Sequence, residues 1–278
     1  MKGEKMRHGI YRGIALSIAG TDPSGGAGIQ ADLKTFAALK VFGTTAITSV
    51  NAQNSMGVTA IHPIPPELII AKILSVGEDF PLDAIKTGMV GNTAATDAVV
   101  AGIKKLGIEK VVVDPVMIAQ SGDPLIEEDA IQAIKNRLIP LAAVVTPNLP
   151  EAECLTGMKI ENVTDMERAA REIAKLGCRS VLVKGGHLPG NPETITDIYL
   201  LDDEIIRFED PRIDTNANHG TGCTLSSAIA AELAAGVEMK EAVIRGRKYL
   251  REGLKHGVTL GHGAGCLGHA VEMDWIRE

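Results

Sequence analysis

The chain has 278 residues, enough for one large α/β domain or two small ones. Hydrophobic residues make up 45% and charged residues 23%, ordinary for a globular protein, while aromatics at 3% require an aliphatic core. The net charge of −7 argues against nucleic acid as the main partner, so an anionic ligand must be held by local features and not by a basic field.

The opening MKGEKMRHGIYRG is charged and lacks the apolar centre of a signal peptide. It reads as a tail of residues 1–13 ahead of one domain over 14–278. Nowhere is there an apolar run of the roughly 18 residues a membrane span needs, which points to a cytoplasmic protein with no membrane partner. From there, short β-branched runs alternate with amphipathic stretches. Strands are expected at 14–19, 45–50, 84–87, 110–114, 143–146 and 180–184. Two more, at 195–200 and 205–208, read as a hairpin around LDDE. Helices are expected at 28–39, 66–79, 93–106, 127–138, 165–176, 222–235 and 240–256. Strand–helix repetition predicts a mostly parallel sheet with helices on both faces. The strands are apolar throughout, as strands covered on both faces are. Four widely spaced cysteines, 154, 178, 223 and 266, contain no C-x-x-C and imply neither a disulfide framework nor a zinc finger.

In such a sheet ligands bind beyond the carboxyl ends of the strands. The residues following each strand are GTDPSGGAG, NAQN, KTGM, DPVM, TPNLPEAE and KGGH, all polar, charged or glycine-rich. The segment from Gly20 to Phe36 has neither the Gly-Lys-Ser/Thr of a P-loop nor a dinucleotide fingerprint. It is either a plain turn or a loop whose backbone approaches a small ligand, with Asp32 within reach. Asp114 ends a strand, and Asn148 and Glu151 stand three apart after the next one. Hard oxygen ligands near an anion site suggest Mg²⁺, although Asn148 and Glu151 equally suit a helix cap with an acidic first turn. Lys184 closes a strand and can neutralise a phosphate. HGAGCLGH matches no zinc spacing and reads as a turn. In HGTGCT, Gly220 and Gly222 let amides converge at a helix N-terminus, an anion site that also lowers a thiol's pKa. Cys223 there is either a partly ionised base or nucleophile, or a small packed residue.

Together with SGDPL, these motifs resemble the ribokinase-like superfamily, and within it the hydroxymethylpyrimidine/phosphomethylpyrimidine kinases of thiamine biosynthesis, from about Ile14 to His269. The resemblance implies a three-layer fold and transfer of phosphate from ATP, with Mg²⁺, to a hydroxymethylpyrimidine and then to its monophosphate. It implies that Gly20, Asp32, Asn51, Gln53, Met89 and Val116 surround the pyrimidine. Gly220 and Gly222 would form the anion hole. Lys184, Thr221 and Asn148 would lie beside the nucleotide, and Asp114 and Glu151 would hold the metal. Cys223 stands where most ribokinase-like sugar kinases carry an aspartate base. Asn51 departs from the pattern, in which valine is common. The resemblance also suggests a homodimer. A vitamin B6 kinase of the same branch is the alternative.

Overall fold

The structure is a computed structural model that describes residues 7–117, 128–186, 188 and 193–276. The chain begins with β1 (Ile14–Ala19), α1 (Gly28–Ala38), β2 (Phe42–Ile47), β3 (Ser49–Asn54) and β4 (Gly57–Pro63). It continues through α2 (Pro66–Gly77), β5 (Ala84–Thr87), α3 (Thr93–Leu106), β6 (Val111–Val113), α4 (Glu128–Ala133) and β7 (Val144–Val145). Then come α5 (Leu149–Thr156), α6 (Val163–Ala174), β8 (Ser180–Val183), β9 (Thr194–Leu201), β10 (Glu204–Pro211), α7 (Thr221–Ala234) and α8 (Met239–Lys255).

Eight strands form one sheet in the order β10-β9-β8-β7-β6-β5-β1-β2. The run from β2 to β8 is parallel, and β9 and β10 add antiparallel. Period-two alternation divides the parallel strands between two cores. Leu16, Ile85, Val113, Val145 and Val181 face one, whereas Ala15, Ala84, Val112, Val144 and Leu182 face the other. The first core is closed by α2, α3 and α6, and the second by α1, α7 and α8. This is the expected layered α/β architecture.

Helix α7 lies inside its layer and is buried from Thr224 to Ala234. That burial includes Glu232, whose carboxylate is fully enclosed and takes a two-pronged ion pair from Arg12 at 2.9 Å, with Arg245 and the Trp275 indole also bonded to it. A buried carboxylate is tolerable only when so neutralised. The described part of the expected tail is therefore anchored: Arg12 reaches Glu232, and Arg7 pairs with Asp83.

Some elements differ from expectation. The predicted strand at 45–50 is two strands. Thr48 still bonds Ala19, after which the chain turns into β3, which pairs with β4 outside the main sheet. The β4 strand was not anticipated because β3–β4 is largely exposed and carries Asn, Gln and Ser instead of an apolar run. Helix α5 was not among the expected helices, but the alternative reading of Asn148 and Glu151 as a helix cap with an acidic first turn is its start, and the left-handed Gly157 ends it. The helix expected at 127–138 is regular only to Ala133 and widens into a π turn before Pro140. The hairpin around LDDE is as predicted, with Asp202 and Asp203 both at positive φ, the conformation of a two-residue turn. SGDPL and His187 lie outside the described residues.

Candidate active site

Strand order reverses at β1, which has β2 on one side and β5 on the other. Such a switch point opens a crevice beyond the strand ends. Gly20 follows β1 there and Met89 follows β5. A side chain at Gly20 would run into Ser49 Oγ at 2.6 Å, Asn51 Nδ2 at 3.0 Å and Met89 Cε at 3.0 Å. Gly20, Asn51 and Met89, predicted from separate motifs, are thus gathered at one point. Gln53 is two residues further along β3, at a register shift, and half-buried; Val116 is half-buried in the turn after β6.

Asp32 lies beneath this point. It is fully buried, with both oxygens 2.9 Å from Lys86 Nζ, and it accepts hydrogen bonds from Ser17 and Ser227. Direct contact with a ligand is not what this geometry offers, because every face of the carboxylate is occupied from within. Its partner Lys86 was missed. Burial alone would depress the Lys86 pKa, but Asp32 foremost, with Cys223 and Asp114, holds it above the ordinary value. The signal was available: a lysine inside a strand covered on both faces needs a carboxylate partner.

The loop between β1 and α1 is organised by Asp22. Its carboxylate accepts from the amides of Ser24, Gly26 and Ala27 and from the Ser24 hydroxyl, so those amides are not offered to a ligand. His219 Nε2 meets Asp22 Oδ2 at 2.8 Å and ties this loop to the one before α7. Burial would raise the Asp22 pKa, but the bonds from His219, Ser24 and Ala27 outweigh it and hold the carboxyl well below the usual range. A depressed carboxyl pKa stabilises the fold above the ordinary value of about 3.9 and loses that effect as pH falls through the folded-state value. Asp22→Asn is accordingly expected to melt below wild type at pH 7, with the gap closing in melts taken below about pH 4. A gap independent of pH would mean that the charge contributes nothing.

The α7 N-terminus is built as the glycines require. Gly220 has φ +83° and its missing side chain would overlap the Gly26 carbonyl, so two backbones touch where only glycine fits. A Cβ at Gly222 would sit 3.3 Å from Asp114 Oδ2 and 3.4 Å from Lys184 Nζ. The first-turn amides of Gly222 and Cys223 have no intrahelical acceptor, and that of Thr221 reaches the Asn218 carbonyl only at 3.5 Å, so this helix start has the N–H groups an anion site would use.

Against this helix start lie Asp114, Glu151 and Lys184. Lys184 Nζ is 3.2 Å from Asp114 and 4.0 Å from Glu151. Both carboxylates are almost wholly buried. Asn148 and Glu151 form a reciprocal capping box at the start of α5. The cap and the metal-facing position are therefore compatible: Glu151 Oε2 accepts the Asn148 amide while the carboxyl still borders Lys184. Burial pushes Glu151 up to about 7, with Lys184 lowering it and Asp114 raising it. With Glu151 only partly ionised near neutrality, the cluster of Asp114, Glu151 and Lys184 supplies two carboxyl groups, hard oxygen donors of the kind Mg²⁺ takes when waters complete its shell, and a bound cation would favour the ionised form of Glu151.

At Cys223, burial pushes the thiol up to about 11; Lys86 pulls it down, Asp32 and Asp114 raise it further, and the Gly28 amide hydrogen-bonded to the sulfur lowers it. Burial therefore acts on this thiol in the direction opposite to the lowering that a helix N-terminus alone would give.

The family model for phosphomethylpyrimidine kinase matches residues 22–268. The hydroxymethylpyrimidine/phosphomethylpyrimidine kinase of Rhizobium meliloti is 46% identical over 92% of this chain and 96% of its own. The chain also matches 54% of the thiamine biosynthesis bifunctional protein of Geobacter sulfurreducens, at 42% identity over 96% of its own length. Among solved structures, a Clostridium difficile phosphomethylpyrimidine kinase superposes with a TM-score of 0.77 at 44% identity, covering 86% of this chain and 98% of that one. An ADP complex of Bacillus subtilis pyridoxal kinase superposes at 0.87 with 38% identity, covering 93% and 97%. The chain belongs to the phosphomethylpyrimidine kinase family.

Proposed function

We propose that this kinase transfers the γ-phosphoryl group of ATP to 4-amino-5-hydroxymethyl-2-methylpyrimidine, and a second one to the monophosphate formed, for thiamine biosynthesis. The observation that carries the reading is the meeting, at one sheet edge, of the Gly220–Cys223 cradle, the Asp114–Glu151–Lys184 cluster and the Gly20 crevice. The names of the relatives at above 40% identity support it.

In the first step the hydroxymethyl oxygen bonds to the γ-phosphorus, the bond to the ADP oxygen breaks, and the hydroxyl proton passes to Cys223 Sγ. Phosphoryl transfer depends on positioning and on neutralising spread charge. The cradle amides hold the transferring oxygens, Lys184 faces the phosphates, and Thr221 and Asn148 border the nucleotide. Asp114 and Glu151 would hold Mg²⁺, which supplies charge neutralisation between the phosphates. Asp32 acts from below by fixing Lys86 and Ser227. Because the free thiol carries its proton, acting as a base requires ligand binding to lower its pKa; Lys86 and the Gly28 amide already pull that way. The second step needs no such base, because a phosphate monoester is already an anion near neutrality.

A pyridoxal kinase is the second reading, favoured by the superposition on the Bacillus subtilis enzyme. The homodimer and the cytoplasmic location expected from the sequence belong to the same proposal. Incubation with MgATP and the hydroxymethylpyrimidine, or pyridoxal in parallel, decides between the two. Conversion to mono- and diphosphate is expected for the pyrimidine, and turnover of pyridoxal alone would reverse the order.

A further inference from the structure

Asp197 stands on β9 with both carboxylate oxygens occupied. Its Oδ1 accepts the backbone N–H of Gly185 at 2.8 Å, and its Oδ2 accepts Arg247 Nε at 2.9 Å. Arg247, on α8, is held in turn: Nη2 donates to Asp210 at 2.8 Å, and the guanidinium lies 4.4 Å over the Phe208 ring. The pair is largely enclosed, with the Arg247 side chain 11% exposed and that of Asp197 12%. Desolvation offsets much of what such a pair contributes, so stability alone is a weak reason for it.

What the pair holds is the end of β8. Gly185 follows Lys184, and a side chain at Gly185 would overlap the Thr196 carbonyl, so this turn is pressed against β9. The Gly185 amide is buried there and needs an acceptor, which Asp197 supplies. On the opposite side, the Lys184 N–H donates to the Pro147 carbonyl at 2.9 Å. Lys184 is thus fixed at its own amide by the chain after β7 and at the next amide by β9. From that root its Nζ reaches to 3.2 Å from Asp114. A lysine is a point charge on a flexible stem, so where the root is held governs where the charge goes.

We propose that Asp197, braced by Arg247, is a positioning residue for nucleotide binding, fixing the root of Lys184 so that its ammonium meets the ATP phosphates. This rests on the reading of Lys184 as the residue that faces those phosphates. Asp197 acts through the backbone at Gly185, and α8 supplies the brace from the far side of β9.

The test is calorimetric titration with MgATP and, separately, with the hydroxymethylpyrimidine or pyridoxal. Asp197→Ala is expected to weaken ATP binding by roughly 5- to 150-fold, the range for a buried group left without its partner. Affinity for the second ligand should not change. Asp197→Asn, which offers one oxygen to two donors, should fall between, and it carries the comparison where the alanine variant does not fold. Unchanged ATP affinity, or equal losses for both ligands, would overturn the proposal. A second arm repeats Asp197→Ala in a Lys184→Met background. A residue that acts through Lys184 costs nothing further there, and losses that add would also overturn the proposal. The two readings fail separately. Wild-type ATP affinity in Lys184→Met alone would sink the place of Lys184 at the phosphates. A loss in Lys184→Met with none in Asp197→Ala would sink only the role of Asp197.

Discussion

Cys223→Ala is expected to lower the first phosphorylation by about 10²–10⁴-fold, the usual contribution of a positioned general base. The fold should survive, because alanine is smaller and is the best helix former. ATP binding should survive too, because the proposed anion site consists of backbone amides, which the substitution keeps. The second phosphorylation should suffer far less, since its acceptor is already anionic. Separate rate measurements with the alcohol and with the monophosphate give this ratio directly. Equal losses in both steps would mean that Cys223 positions the phosphates and does not take a proton. The thiol itself offers an independent check. A group raised to about 11 is protonated at neutrality. Alkylation of Cys223 in the free protein should therefore be slow at pH 7 and accelerate about tenfold per pH unit up to its pKa, because the thiolate is the reactive form. A plateau reached below about 8.5, the free-thiol value, would restore the ionised thiol expected from the helix N-terminus alone.

Chelating Mg²⁺ is expected to abolish turnover altogether. Asp114 and Glu151 stand buried beside a single lysine, and the phosphates of ATP would add negative charge at the same place. Glu151→Gln keeps the shape and an oxygen acceptor for the Asn148 amide, so the α5 cap persists while one charge is lost. The variant should need more Mg²⁺ for its half-maximal rate, with a maximal rate recovered at least in part when Mg²⁺ is raised. Titrating Mg²⁺ at saturating ATP measures both quantities. Undiminished activity in excess chelator would remove the metal from the mechanism, and an unchanged Mg²⁺ requirement in the variant would leave Glu151 as a cap alone.

Much of this was legible in the chain because it is written locally. Apolar β-branched runs, their alternation with helices and the polar residues after each strand determined the layered sheet and its functional edge. Gly220, Gly222 and Cys223 announced a glycine-led helix start within four residues, since φ depends on neighbours in sequence. The hairpin turn at Asp202–Asp203 belongs to the same class. What only the tertiary structure decided are the properties that arise between distant segments. Lys86 and Asp32 are 54 positions apart, and only their common burial turns an apparent ligand contact into an internal ion pair. Asp22 and His219 are 197 apart, and their bond joins two loops that each read as complete alone. The β3–β4 hairpin escaped notice because strands with exposed faces carry no apolar period. Cys223 shows the limit most plainly. Its place at a helix start was readable, and that place favours the thiolate. Its pKa is set instead by how much water the surrounding elements exclude, and desolvation is a property of the packed whole that no short stretch of sequence encodes.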